Sequence, residues 1–211
     1  ELNTEELSKL ITAISLQSTN IKDSSELIGN IYLVNFFNKV EDTRQISAMI
    51  NACSRLGESA TAIAFCLQNK KAKAKAENIY AQYRQSIVAA LRSLPNLRKI
   101  EQKNYIIIHA ENKIKDTIIG TIASILSNSR NYEEGKAIIA MAYNENKIKV
   151  SARIVGKNGK NIREILNSVI DEVGGEVGGH KFAAGCLVEK ENEQKFLDML
   201  QKKLEIEMVK I

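Results

Sequence analysis

Along the first 95 residues the apolar side chains recur at intervals of three and four, the spacing of helices with one buried face. "TEELSKLITAIS" opens on Thr4 with Glu5 and Glu6 behind it, a cap followed by acids that favour the positive end of the helix dipole. The same period predicts helices near 23–38, 44–55, 58–68 and 70–92. In the last of these Ile79, Tyr83, Ile87 and Leu91 stand four apart as one stripe. Beyond the sole proline, Pro95, the period alternates between two and three to four. "NYIIIHA" reads as a strand, and "DTIIGTIASILSNS" as a helix capped by Asp116. "KAIIAMAY" and "KIKVSARIV" read as two strands joined through "NEN" into a hairpin. "NIREILNSVIDEV" places Ile162, Ile165, Leu166, Val169, Ile170 and Val173 on one helix face. "GCLVE", "NEQKFLDMLQKKL" and "LEIEMVKI" then read as strand, helix and closing strand. The chain divides into a helical part, residues 1–95, and an α/β part, residues 96–211, and its class is α/β (α+β).

Composition narrows this picture only slightly. A chain of 211 residues makes one large domain or two small ones. No tryptophan is present, so the core is expected to consist of Ile, Leu, Val and Ala. Thirty basic residues against 25 acidic ones permit a polyanionic partner without requiring one. Three cysteines, Cys53, Cys66 and Cys186, with no CxxC pair, argue against a disulfide framework or a zinc site and for a reducing, cytoplasmic setting. No apolar run of ~18 residues occurs, so no membrane span is expected. The first residue is Glu rather than Met, and the expectation is a segment of a longer protein.

Several stretches carry candidate chemistry. In "EVGGEVGGHKFAAG" (172–185) Gly174 can end the preceding helix. The remaining glycines fit a tight loop whose bare N–H groups would hold an anion, with His180 at its exit. The same letters fit a turn whose histidine satisfies a core hydrogen bond. In "KIKVSARIV" the period of two puts Ile148, Val150, Ala152 and Ile154 on one face. Lys149, Ser151 and Arg153 share the other, a donor set suited to an anion. Asn51 and Arg55 stand one helical turn apart in "NACSRLG" and need either a cleft or a full set of hydrogen bonds. "GKNGKNIRE" lacks the spacing of a phosphate loop and reads as a basic turn before a helix. With only His109 and His180 as imidazoles, no HxxxH or DxD pattern exists to hold a pair of hydrolytic metals. Tyr80, Tyr83 and Phe182 are either base-stacking surfaces or core.

Together these stretches resemble a known family. "GGHKFAAG" resembles the GGHxxAAG signature of the DHH-associated domain in DHH-family phosphoesterases. "NACSRLG" resembles the NAxxRxG linker of RecJ-like single-strand exonucleases, and "KVSAR" and "TIIGTIAS" resemble that family's serine- and arginine-bearing strand and the helix before it. The likeness covers roughly residues 25–200 and is greatest to archaeal members. It implies a mixed β-sheet flanked by helices, following a helical connector. It also implies that Gly178, Gly179 and His180, with Ala184 and Gly185 of the same motif, meet the end nucleotide. Ser151 and Arg153 would hold backbone phosphates, with Arg55 and Asn51 reaching in from the helical part. In the family, a DHH domain upstream holds two Mn2+ or Mg2+ ions that activate water. This sequence has no DHH motif, so no metal is expected on this chain, which by itself should be inactive. The partners implied are single-stranded DNA or RNA in repair or replication. The alternatives are a non-catalytic assembly module binding replication proteins such as GINS, or a phosphoesterase of oligonucleotides or cyclic dinucleotides. Ser54 departs from the glycine usual in the linker motif.

Overall fold

The computed structural model of the protein describes residues 2–17 and 29–206. Helix α1 (Thr4–Gln17) buries none of its residues. Its cap is Asn3 rather than Thr4: the Asn3 Oδ1 accepts from the backbone N–H groups of Glu5 and Glu6 at 3.0 and 2.9 Å. The helix expected near 23–38 is replaced over residues 33–38 by a hairpin, and residues 23–28 of that expectation lie outside the described residues. Strands β1 (Leu33–Phe36) and β2 (Lys39–Asp42) turn at Phe37 and Asn38, with φ of 54° and 59°. Two consecutive positive φ values make the tight turn that matches strand twist.

Helices α2 (Thr43–Arg55), α3 (Ser59–Cys66) and α4 (Lys70–Ser93) follow the apolar period. Asp42 caps α2 by accepting from Arg44 N at 2.8 Å, and Asn69 caps α4 by accepting from Lys71 N and Ala72 N. Ile79 and Tyr83 of the predicted stripe are buried, while Ile87 and Leu91 are half-buried against the same core.

Six strands form the main sheet: β3 (Arg98–Glu101), β4 (Tyr105–His109), β5 (Ala137–Asn144), β6 (Lys147–Ile154), β7 (Glu176–His180) and β8 (Ala183–Glu189). Their order is β3-β4-β5-β6-β8-β7. Only β4 and β5 run parallel, joined by the crossover helix α5 (Asp116–Ser127). Asp116 is the first residue of α5 rather than its cap. Its carboxylate instead accepts from Asn144 Nδ2 at 3.2 Å and pairs with Lys149 Nζ at 3.5 Å. The β5–β6 hairpin closes through Glu145 and Asn146, with Glu145 at φ 53°. Helix α6 (Ile162–Val173) is capped by Asn161, buries all six residues of its predicted face and ends at Gly174, φ 86°. The glycines that follow are not a loop: residues 176–180 are edge strand β7, paired with β8 across a turn at Lys181 and Phe182. Helix α7 (Glu193–Ile206) runs through the first residues of the expected closing strand, and residues 207–211 lie outside the described residues.

Strands β4 and β5 are covered on both faces, which is why they read as continuous apolar runs. Ile106, Ile108, Ile138 and Ala140 face α5, with α2, α3 and α4 behind it in one core. Ile107, Ile139, Val150 and Ala152 face α6 and α7 in another. Because α5 packs on β5 and β6, the same face of β8 and β7 is left as a shelf beside it.

Candidate anion-binding site

The site forms where the C-terminal end of α2, helix α5 and strand β6 meet. Alternation on β6 turns Ile148, Val150, Ala152 and Ile154 into the core and turns Ser151 and Arg153 toward α5, as the period of two requires. Gly120 lets α5 come this close, since a Cβ there would stand 3.0 Å from Ser151 Oγ and 3.9 Å from Arg153 Nη2.

Arg153 is half-buried and held by three bonds. Its Nε donates to Ser124 Oγ at 3.1 Å, and its Nη1 donates to the carbonyls of Ala152 and Ala184 at 2.8 and 3.3 Å. Its Nη2 donates to no partner among the described residues and points to the Gly120–Ser151 side. Arg55, the last residue of α2, donates through Nη1 to the Thr117 carbonyl in the first turn of α5 at 3.4 Å. Neither guanidinium is paired with a carboxylate among the described residues. Burial lowers the Arg153 pKa from its ordinary value, and the nearby Arg55 charge adds to that. Two cations gathered without a counter-ion, one of them oriented by neutral acceptors, present a fork ready for an oxyanion.

Register places the other expected residues. Gly185 and Gly178 stand directly across from Ser151 on β8 and β7, so they share its face. His180 shares the row of Arg153 and is exposed. A Cβ on Gly178 would meet nothing within 4 Å, so its bareness serves no packing need. Gly185 is different: a Cβ there would lie 2.7 Å from the Val150 carbonyl oxygen. Gly179 and Ala184 pair with each other on the opposite face, where Ala184 is 3% exposed and packs in the α6–α7 core. The carbonyl of Ala184, not its side chain, reaches the site through Arg153. Asn51 is exposed one turn before Arg55 on α2. Lys149, grouped with Ser151 and Arg153 in the sequence, is engaged by Asp116. Ser124 and Thr117, which fix the two arginines, were not anticipated; the four-residue spacing of Gly120 and Ser124 in "TIIGTIAS" was the available signal.

Of the stacking candidates, Tyr83 is buried and its hydroxyl is 2.9 Å from Thr121 Oγ1 on α5. Phe182 is half-buried in the β7–β8 turn beneath Lys181, and Tyr80 lines a separate cleft near β1. His109 is buried, its Nδ1 accepting from Glu111 N at 3.2 Å. No group of three or more His, Cys, Asp or Glu placed to hold a metal occurs among the described residues. No described helix is long and apolar enough to cross a membrane.

Comparison with known proteins agrees with this architecture. Residues 102–205 match the family described as the DHHA1 domain. An uncharacterized protein of Methanocaldococcus jannaschii is 30% identical over 201 residues, covering 93% of this chain and 42% of that protein. RecJ from Thermus thermophilus, solved in complex with Mn2+, is similar with a TM-score of 0.59 at 24% identity, over 75% of this chain and 23% of RecJ. CDC45 from Entamoeba histolytica is similar with a TM-score of 0.56 at 9% identity, over 96% of this chain and 45% of CDC45. The two solved structures share the fold. The chain spans less than half the length of each of these relatives.

Proposed function

Because residues 102–205 are a DHHA1 domain and the chain is RecJ-like in fold, we propose that it is the nucleic-acid-gripping half of a metal-dependent single-strand exonuclease. The carrying observation is the Arg55–Arg153 pair, two guanidiniums brought together beside Ser151 with no carboxylate between them. In this reading the fork of Arg153 takes a backbone phosphate, Arg55 takes the same or the adjacent one, and Ser151 adds a neutral donor. Gly178 lets the strand lie against bare backbone, and His180 donates from the row it shares with Arg153. Contacts of this kind set position and affinity rather than sequence preference. In this reading hydrolysis belongs to a DHH domain, where Mn2+ or Mg2+ would supply the activated water. This chain binds and orients.

The test is fluorescence anisotropy of the 211-residue chain with a labelled single-stranded oligonucleotide at two salt concentrations, beside Arg153→Ala and His180→Ala. Binding that weakens with salt and drops about ten-fold or more in each variant is expected, since each loses a charge-assisted contact of about 1.5–3 kcal/mol. Binding that ignores both substitutions overturns the reading. A replication-assembly role, with GINS as the partner class, is the second reading. It draws on the exposed apolar residues of the hairpin, Leu33 at 63% and Val40 at 72%. Capture of GINS by the chain that fails on Leu33→Ser with Val40→Ser and survives Arg153→Ala would favour it.

A further inference from the structure

On the shelf beside α5, the register of β6, β8 and β7 sets side chains in three rows. The first holds Arg153, Ala183 and His180, and the second Ser151, Gly185 and Gly178. The third holds Lys149, Leu187 and Glu176. Successive rows, two residues apart along a strand, are about 6.7 Å from each other. The first row therefore carries a guanidinium and an imidazole, and the second carries nothing larger than a serine hydroxyl. The third carries a half-buried leucine between an ammonium and a carboxylate.

Glu176 is the residue that a phosphate grip leaves unexplained. Its side chain is exposed and forms no ion pair or hydrogen bond among the described residues, on the face that carries Arg153. A second phosphate laid against it would be repelled, whereas a base edge carrying N–H donors would be held. Across the row, Lys149 Nζ is kept 3.5 Å from Asp116, and Asn144 donates to that same carboxylate at 3.2 Å, so the third row's donor is fixed in place. The second and third rows border an open depression of about 390 Å3. That volume lies within the range of small-molecule sites, about 300–1,000 Å3.

We propose that this depression is a base-selective subsite. A nucleotide whose phosphate sits at Arg153 lays its sugar over Gly178 and Gly185 and presents its base to Leu187, Glu176 and Lys149. The inference rests on the phosphate-binding reading above. Guanine is the base whose edge complements the row: its N1–H and N2–H2 groups donate side by side to one carboxylate, and its O6 accepts from an ammonium. Adenine sets an acceptor, N1, beside its amine and so meets the carboxylate with like polarity. Cytosine offers a single amine, and thymine a single N3–H between two carbonyls.

The experiment is a competition assay on the 211-residue chain. Oligothymidylates carrying one variable nucleotide at the 5′ end, and a second set varied at the 3′ end, displace a labelled strand from the wild type and from Glu176→Gln. In one of the two sets the guanine-ended strand is expected to compete roughly ten-fold better than the adenine-ended one, the discrimination of one good bidentate pair. In Glu176→Gln that ratio should shrink to within about two-fold. Glu176 is exposed, so the substitution does not threaten the fold. Equal competition by all strands in both sets, with binding still lost in Arg153→Ala, overturns the base subsite and leaves the phosphate grip standing. A guanine preference that persists in Glu176→Gln also overturns it. Absence of salt-dependent binding overturns both.

Discussion

Gly178 and Gly179 are neighbours with opposite requirements. Gly179 has φ 122°, and a Cβ there would fall 2.5 Å from both the Ala183 carbonyl oxygen and the Ala184 Cα. Gly178 has open space on the ligand side. Gly179→Ala is therefore expected to destabilise the protein by about 1–3 kcal/mol, the usual cost of forcing a side chain into that backbone region. Gly178→Ala should leave stability within about 0.5 kcal/mol, as exposed substitutions generally do, yet weaken oligonucleotide binding by placing a methyl on the shelf. Chemical denaturation and anisotropy on the two variants separate these outcomes, and a stable Gly179→Ala protein would contradict the geometry. Arg153 carries a third expectation at this scale. Lysine keeps its charge but cannot bond Ser124, Ala152 and Ala184 together while leaving a fork free. Arg153→Lys should therefore lose most of the binding that Arg153→Ala loses.

At the scale of elements, the N-terminus of α7 is tied to the end of the sheet through Glu193. Tyr143 on β5 donates to Glu193 Oε2 at 2.8 Å, and Lys190 Nζ sits 3.8 Å over the tyrosine ring. Burial and the Glu193 bond push the Tyr143 hydroxyl up to about 12. His109 Nε2 lies 3.1 Å from Glu193 Oε1, a contact without the geometry of a hydrogen bond. Burial lowers the His109 pKa below its ordinary 6.5, outweighing the opposite pull of Glu193 and Glu111. The sign follows: below about pH 6.5 the unfolded chain takes up a proton at this site that the folded protein resists. Stability from this group is then full above pH 6.5 and falls as pH drops toward the folded value. The melting temperature should decline as the pH falls below about 6.5, and the decline should be smaller in His109→Gln. An identical profile in the variant would assign the decline to other groups. The same scale explains what could be read in advance. Helices α4 and α6 and strands β4 to β6 were legible because each buries a periodic or continuous apolar set. Strands β1 to β3 were not, since short strands with mostly exposed faces carry no such set: Leu33, Val34 and Val40 are exposed, and β3 is "RKIE". "EVGGH" lacks any strand signal of its own, and its extended form comes from pairing with β8. Ser151 and Arg153 could be placed on one face by alternation alone. Their meeting with Arg55 could not, because it depends on α5 lying between the helical layer and the sheet.

For the whole molecule, the net charge of +5 says less about binding than the distribution of pairs does. Some cations elsewhere on the surface are matched locally: Lys73 with Glu41, Lys75 with Glu58, Lys136 with Glu101, and Lys203 with Glu172. Such exposed pairs add little stability but cancel the field that would draw in a polyanion. Arg55 and Arg153 have no carboxylate partner among the described residues and are brought together from different layers by a core that runs from Ala52 and Phe65 to Ile119 and Ile138. Association with a single strand should therefore behave as a localised grip. A single-strand contact contributes a slope of about −0.7 per neutralised phosphate in a plot of log K against log salt concentration. Two phosphates give about −1.4, and Arg153→Ala should bring the slope to about −0.7. A titration of binding across salt concentrations measures both slopes. A wild-type slope steeper than about −3, insensitive to Arg153, would mean that dispersed lysines hold the strand and that the paired surface is not electrostatically silent.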